Sequence, residues 1–389
     1  MIRQYVNLVA ANRCTRTYSL HRLNVAKHLF YPSTAEAEAA TTEENSNGSG
    51  KPSRIGRLRR LPPASMSFQQ FPPPTDNLWP PKDMFMLLSP GSSEGRILHV
   101  TEEGPGFIYD ADANSTSTIP SRDGPYGYTP TFIPIAGAGT GKEKEVLYLL
   151  NPHHRHLSFE VLDFNEQPRK WQPLPPPLFA NGSIQSLSFT VLDGGHTICV
   201  SLIDKRTYWY DTRSQKWWQA GDWMMPFAGR AEYVPELNTW LGFSCCSCHN
   251  LCASSDLSAM DAHQRAPMLQ HDWEDLKTPE EEESVLNKRF RGAVLTRTRS
   301  WRTSSLPNLL NLGGGRFCIA KFFEDVHTNT ETDANFVVLT GVEVLHGGGD
   351  GEPGLQMVKH KSKRYMFTKD DEINFNYFQE HAYEKKVRN

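Results

Sequence analysis

The densest run of metal-ligand side chains in this 389-residue chain is Cys245-Cys246-Ser247-Cys248-His249-Asn250-Leu251-Cys252. Thiolates and imidazole are ligands that zinc accepts, and Cys245 with Cys248 has the spacing of one zinc knuckle, with His249 and Cys252 close behind. A structural zinc site draws its ligands from two separated knuckles, however, and Cys14, Cys199 and Cys318 stand alone in the sequence. A cysteine-rich β-turn accounts for the same run, so no metal and no other cofactor is assigned.

Three further groups could do chemistry. Ala136-Gly-Ala-Gly-Thr-Gly-Lys142 imitates a phosphate loop, but Ala136 and Glu143 stand where that loop needs Gly and Ser or Thr. A flexible hairpin loop explains it better. His153, His154 and His156 crowd together after Asn151-Pro152, with no carboxylate or thiol nearby in sequence to complete a site, and read as a solvated turn. Asp222, Arg230, Glu232 and Glu236 gather around Trp223. Such a group can be a polar network organising a loop or a recognition surface, and an acid–base pair is conceivable. No catalytic residue is assigned. Trp223 and Arg230 are the side chains expected to be exposed there and to anchor a protein partner.

The elements that must position these groups are short strands. Asp110 follows Phe107-Ile-Tyr109, Asp163 follows Phe159-Glu-Val-Leu162, Asp211 follows Tyr208-Trp-Tyr210, and a weaker copy places Asp256 after Leu251 to Ser255. The spacings are 53, 48 and 45 residues, the period of four-stranded propeller blades. Each copy has a preceding strand: 96–100, 145–149, 196–200 and 239–243. Trp171 and Trp217 follow the turns, where a large ring can fill the space between blades. Gly194-Gly195 and Gly313-Gly314-Gly315 precede strands at points where the backbone must turn tightly. Strands are also expected at 5–10, 18–23, 317–322, 336–345 and 355–367. The fold class is therefore all-β, a β-propeller of six blades, with five or seven as alternatives. Part of residues 4–31 is expected to pair with the C-terminal blade and tie the ring shut. Residues 1–32 supply N-terminal strands, 33–60 a flexible insertion poor in large apolar groups, and 61–370 the propeller body. A polar interruption falls near 280–305, and 371–389 is a tail.

Composition narrows the function classes. A formal net charge of -3 gives no global attraction to nucleic acid or to an anionic membrane. No apolar stretch approaches the ~20 residues that span a bilayer. Seven cysteines, four of them in one short run, do not form a disulfide framework, which favours a reducing compartment, cytoplasm or nucleus. Five basic and no acidic residues within the first 35 leave a mitochondrial transit peptide as the alternative, at odds with the strands expected there.

Several phrases are similar to a plant family abundant in cereals, domain of unknown function 1668. They are Tyr5-Val-Asn-Leu-Val9, Tyr18-Ser-Leu-His-Arg-Leu23, Leu29-Phe-Tyr-Pro32, Gly221 to Glu236, His271-Asp-Trp-Glu-Asp-Leu276, Gly315 to Ala320, Leu339 to Val344 and Met357-Val-Lys-His360. The resemblance runs from about residue 4 to 367 and implies a kelch-like propeller of unknown activity, with no catalytic residues to carry over. The expected function is a non-enzymatic protein-interaction module whose partner is a protein or peptide. The alternative is a small-molecule binder or enzyme using the central channel.

Overall fold

The computed structural model describes residues 3–12, 15–46, 55–69, 83–88, 95–101, 106–124, 126, 130–137, 144–153, 156–179, 187–202, 206–245, 249–254, 257, 266–276, 282–290, 293–299, 301–303, 305–325, 336–347, 354–367 and 371–375. Apart from helices Val25–Leu29 and Thr34–Ser46 and two single 3-10 turns, the described elements are strands. The chain divides into two units, one of Met1–Ser67 with Glu274–Ile373 and one of Phe68–Trp273 with Asn374–Asn389.

The second unit is four successive antiparallel meanders of four strands each. The first is Met84–Leu87, Arg96–Val100, Phe107–Asp110 and Ser115–Thr118; the second is Thr131–Gly137, Lys144–His153, His156–Asp163 and Trp171–Pro173. The third is Leu187–Leu192, Thr197–Leu202, Arg206–Asp211 and Lys216–Gly221; the fourth is Phe227–Val234, Thr239–Ser244, Leu251–Ser254 and His271–Trp273. The third and fourth join through their first strands in a parallel contact, Phe189 opposite Arg230. Ser188 Oγ donates to the Phe227 carbonyl and Thr190 Oγ1 to that of Ala231 at 2.8 Å.

Strand periodicity explains how the meanders stack. Successive side chains point to opposite faces, so a strand covered on both sides reads as an unbroken apolar run. In Val146–Leu150, Leu147 and Leu149 meet Leu98 and Ile108 of the first meander, while Tyr148 and Leu150 meet Ile198 and Tyr210 of the third. One meander later the pattern repeats. Tyr208 and Tyr210 face the second meander, and Trp209 faces Phe227 and Trp240 of the fourth. Each large side chain so buried contributes roughly 1.5–3 kcal/mol. Sheets stacked face to face in sequence order make the unit propeller-like.

The repeated aspartates have one job. Asp110 Oδ1 accepts from the amides of Asp112 and Ala113 at 3.0 and 2.9 Å, Asp163 Oδ1 from Asn165 at 2.8 Å, and Asp211 Oδ1 from Arg213 at 2.8 Å. Each carboxylate thus caps the turn that follows its strand. Asp256 lies outside the described residues. Trp171 packs into the core between the first two meanders and Trp217 into the next.

The first unit holds two sheets and a separate hairpin, Glu282–Phe290 with Ala293–Arg299. One sheet has the order Asp371–Phe375, Tyr5–Asn12, Thr17–Asn24, Ala64–Gln69. The other centres on Arg316–Asp325, which pairs with Trp301–Thr303, Asn308–Gly313 and Phe336–His346; Leu355–Met366 and a short parallel Gly56–Arg57 follow. Gly313, Gly314 and Gly315 have φ of 85°, 64° and 73°, the left-handed turn their sequence suggested.

Three expectations change. The stretch read as flexible from residue 33 begins with a helix, Thr34–Ser46. Ser33 Oγ accepts from the Glu36 amide and donates to the Glu36 carboxylate, a capping arrangement, and Ala37 is fully buried. Ala37 is the one buried side chain among the helix's described side chains, while Ala35 and Ala39 are exposed. The polar interruption near 280–305 contains the hairpin, and the tail contains the strand Asp371–Phe375.

Candidate interaction surface

Of the ligand-type side chains in the cysteine run, Cys245, His249 and Cys252 are among the described residues. Cys252 lies in a buried strand with its thiol donating to the Gly242 carbonyl at 3.4 Å, inside the core between the third and fourth meanders. His249 sits in a left-handed turn at φ 49° with Nδ1 3.3 Å from the Ser244 carbonyl. Cys245 ends its strand region with its amide on the Pro226 carbonyl at 3.0 Å, and Cys248 lies outside the described residues. Among the described residues no group of three His, Cys, Asp or Glu side chains could hold a metal ion. His153 and His156 are backbone register partners across a hairpin, and residues 138–143 of the glycine-rich stretch lie outside the described residues.

The connection from the third to the fourth meander is held from beneath. Thr207 Oγ1 donates to the Trp223 carbonyl at 2.7 Å, and Ser201 Oγ accepts the Met225 amide at 2.9 Å while lying 3.0 Å from Thr207 Oγ1. Trp223 is only 6% exposed and packs beside Met225 and Trp209, so the expected exposed ring is corrected: it is core. The apolar Met-Met-Pro-Phe sequence after it belongs to an inter-sheet seam, and the indole follows. Arg230 lies on the first strand of the fourth meander and is half-buried; burial pulls its guanidinium below the usual value and Glu232 opposes that pull. Asp222 accepts from Gln219 Nε2 at 2.7 Å.

Among the described residues the exposed aromatics are two others. Trp218 is 39% exposed and pairs across strands with buried Trp209, ring centroids 5.8 Å apart. Tyr233 is 40% exposed and pairs with buried Trp240 at 4.9 Å. Its hydroxyl donates to Asn238 Oδ1 at 2.7 Å, and Asn238 has φ 48°. Tyr109 makes the same bond to Asn114, also at φ 48°, at 3.1 Å. A tyrosine five residues before a left-handed asparagine is thus a recurring hairpin clasp that the reading of the sequence missed. Trp217 turns inward, its Nε1 donating to the Pro175 carbonyl at 3.1 Å, so its neighbour must face the other way.

The buried charges between these sheets are paired. Arg122 holds Glu160 through Nε and Nη2 at 2.8 and 2.5 Å and reaches Ser158 at 3.1 Å, while Arg96 pairs with Glu145. In the first unit Lys321 and Asp275 meet at 2.8 Å with almost no exposure.

A family model described as "Protein of unknown function (DUF1668)" matches residues 3–365. No curated protein matches the sequence. Among solved structures, the chain is similar to an auxiliary nutrient binding protein from Bacteroides thetaiotaomicron, with 11% identity, TM-score 0.33 and coverage of 64% of this chain and 54% of that one. It is also similar to the WD40 domain of SCAP from fission yeast, with 9% identity, TM-score 0.35 and coverage of 94% and 88%. The β-propeller domain of Myceliophteria thermophila Cps50 (Swd1) matches at 11% identity and TM-score 0.30 over 71% and 85%. No helix among the described residues is long and apolar enough to cross a membrane.

Proposed function

The chain belongs to the DUF1668 family of proteins of unknown function, and from that premise we propose that it is a non-enzymatic protein-interaction module. The observation that carries this reading is the pair Trp218 and Tyr233, each about two-fifths exposed and each backed by a buried tryptophan. A ring held by the core beneath it loses little freedom on binding, which is what an interface anchor needs. The partner is a protein or peptide that covers these rings. The family phrase from Gly221 to Glu236 begins just after Trp218 and contains Tyr233, and its arginine stands beside the seam.

The same reading takes the fold as a six-bladed kelch-like propeller. Four meanders of the second unit and two sheets of the first supply six sheets of at least four strands. Closure would run through the sheet in which Asp371–Phe375 lies beside Tyr5–Asn12.

The test is proximity labelling with the full chain, beside Trp218→Ala and Tyr233→Ala variants. Both variants lose packing on a buried tryptophan, so circular dichroism and thermal unfolding first establish that each is folded. Loss of an anchor weakens a true interface by ~2 kcal/mol or more, roughly thirtyfold, and the labelled partners disappear. Partners retained in both variants would remove these rings from the interface. No reproducible partner for the parent chain would move the proposal to a small molecule in the central channel.

A further inference from the structure

A second cluster of buried titratable groups lies in the first unit, on the sheet of Arg316–Asp325, Phe336–His346 and Leu355–Met366. Glu343 Oε2 accepts from Thr34 Oγ1 at 2.7 Å and lies 3.3 Å from His360 Nε2, while Oε1 accepts from Arg316 Nε at 3.1 Å. The Tyr31 amide donates to His360 Nδ1 at 3.2 Å. An atom that accepts an amide hydrogen bond carries no proton, so the imidazole is neutral with its hydrogen on Nε2, directed at Glu343. The Phe30 ring lies 4.8 Å from the imidazole, and Lys361 Nζ donates to the Phe30 carbonyl at 2.9 Å. A Cβ on Gly341 would stand 2.5 Å from the Leu29 carbonyl, so the backbone lies directly on the sheet. The phrases Leu29–Pro32, Gly315–Ala320, Leu339–Val344 and Met357–His360, far apart in sequence, converge here.

We propose that His360 is a pH-dependent latch: the neutral imidazole holds the strap from Leu29 into helix Thr34–Ser46 on the sheet, and protonation releases it. Protonation places a second N–H on Nδ1, donor against donor with the Tyr31 amide, and that contact is lost. The groups facing the imidazole are Glu343, Arg316, Lys361 and the Tyr31 ring. Glu343 attracts the imidazolium, while Arg316 and Lys361 repel it. Release uncovers Leu29, Phe30 and Ala37, all now buried, so acidification exposes an apolar patch.

The direction of the pH dependence agrees with this geometry. Burial holds His360 below its ordinary value of 6.5, opposed by the bond to Glu343. A histidine whose pKa is depressed on folding favours the closed state fully above that ordinary value, and the benefit is lost as pH falls through the folded value. For Glu343, burial pushes the carboxyl up, but the bonds from Thr34, Arg316 and His360 outweigh it and hold it below its ordinary value of 4.5.

Hydrogen exchange of the intact chain tests the latch, with amides 30–46 followed at about pH 7.5 and about pH 5 after correction for intrinsic rates. The expected result is a loss of protection of about tenfold or more at the lower pH, confined to these amides. His360→Gln presents an acceptor and a donor but cannot become charged, so its protection stays the same at both pH values. Unchanged protection in the parent chain, or a parallel loss in His360→Gln, overturns the proposal. Should that variant misfold, the imidazole resonance of His360 in the parent chain decides: its titration must coincide with the loss of protection, and a titration without that loss overturns the latch.

Discussion

A Cβ on Gly221 would stand 2.0 Å from the indole nitrogen of Trp223, a separation that no side chain tolerates. Gly221→Ala therefore displaces a core ring and costs about 1–3 kcal/mol in denaturant unfolding, the range of overpacked cores. Asn238 supplies a second test of conformation against side chain. Its φ of 48° is left-handed and its Oδ1 holds Tyr233. Asn238→Val loses both and costs ~1–2 kcal/mol from the backbone strain alone. Asn238→Gly keeps the backbone and loses only the clasp, so unfolding measurements place it well above the valine variant.

At the scale of elements, the helix Thr34–Ser46 rests on few large apolar contacts and so depends on its ends. Ser33 caps it through the Glu36 amide. Ser33→Ala removes that bond at a cost of about 1 kcal/mol, and hydrogen exchange detects it as faster exchange in the first turn, with the sheets unchanged. Turn caps carry a pH signature too. The Arg213 amide and the Ser214 hydroxyl hold the Asp211 carboxyl below its ordinary value of 3.8. Its contribution is therefore present above that value and fades as pH falls through the folded one. A carboxyl resonance titrating below the ordinary aspartate range, and moving only part of the way back in Ser214→Ala because the Arg213 amide still holds it, is the expected outcome.

For the second unit as a whole, alkali is the revealing perturbation. Burial pushes the Tyr148 phenol up to about 12, and Tyr126 and Tyr210 higher still. An unfolded chain ionises these groups near ~10, so stability is intact below that pH and is lost as pH rises through the folded values. Tyrosinate absorbance from these three residues appears together with the loss of β-sheet circular dichroism. Ionisation that precedes unfolding would mean the seams between meanders admit hydroxide.

The strands, their alternation and the aspartate-capped turns were legible in the residues, because each depends on neighbours within a few positions. The run Tyr208-Trp209-Tyr210 needs a core on both faces whichever sheets supply it, and Asp211 caps its own turn. Exposure and convergence were decided only by tertiary structure. Trp223 and Trp218 are the same residue type five positions apart, yet a neighbouring sheet buries one and leaves the other partly in solvent. Helix Thr34–Ser46 looked unfoldable by itself, because its docking surface lies about three hundred residues away on Glu343 and Gln356. His360 and Tyr31 are separated by 329 residues, and no local pattern announces that one amide will end on one ring nitrogen. Backbone periodicity is a short-range property written into side-chain type, whereas burial belongs to whichever distant surfaces the folded chain brings together.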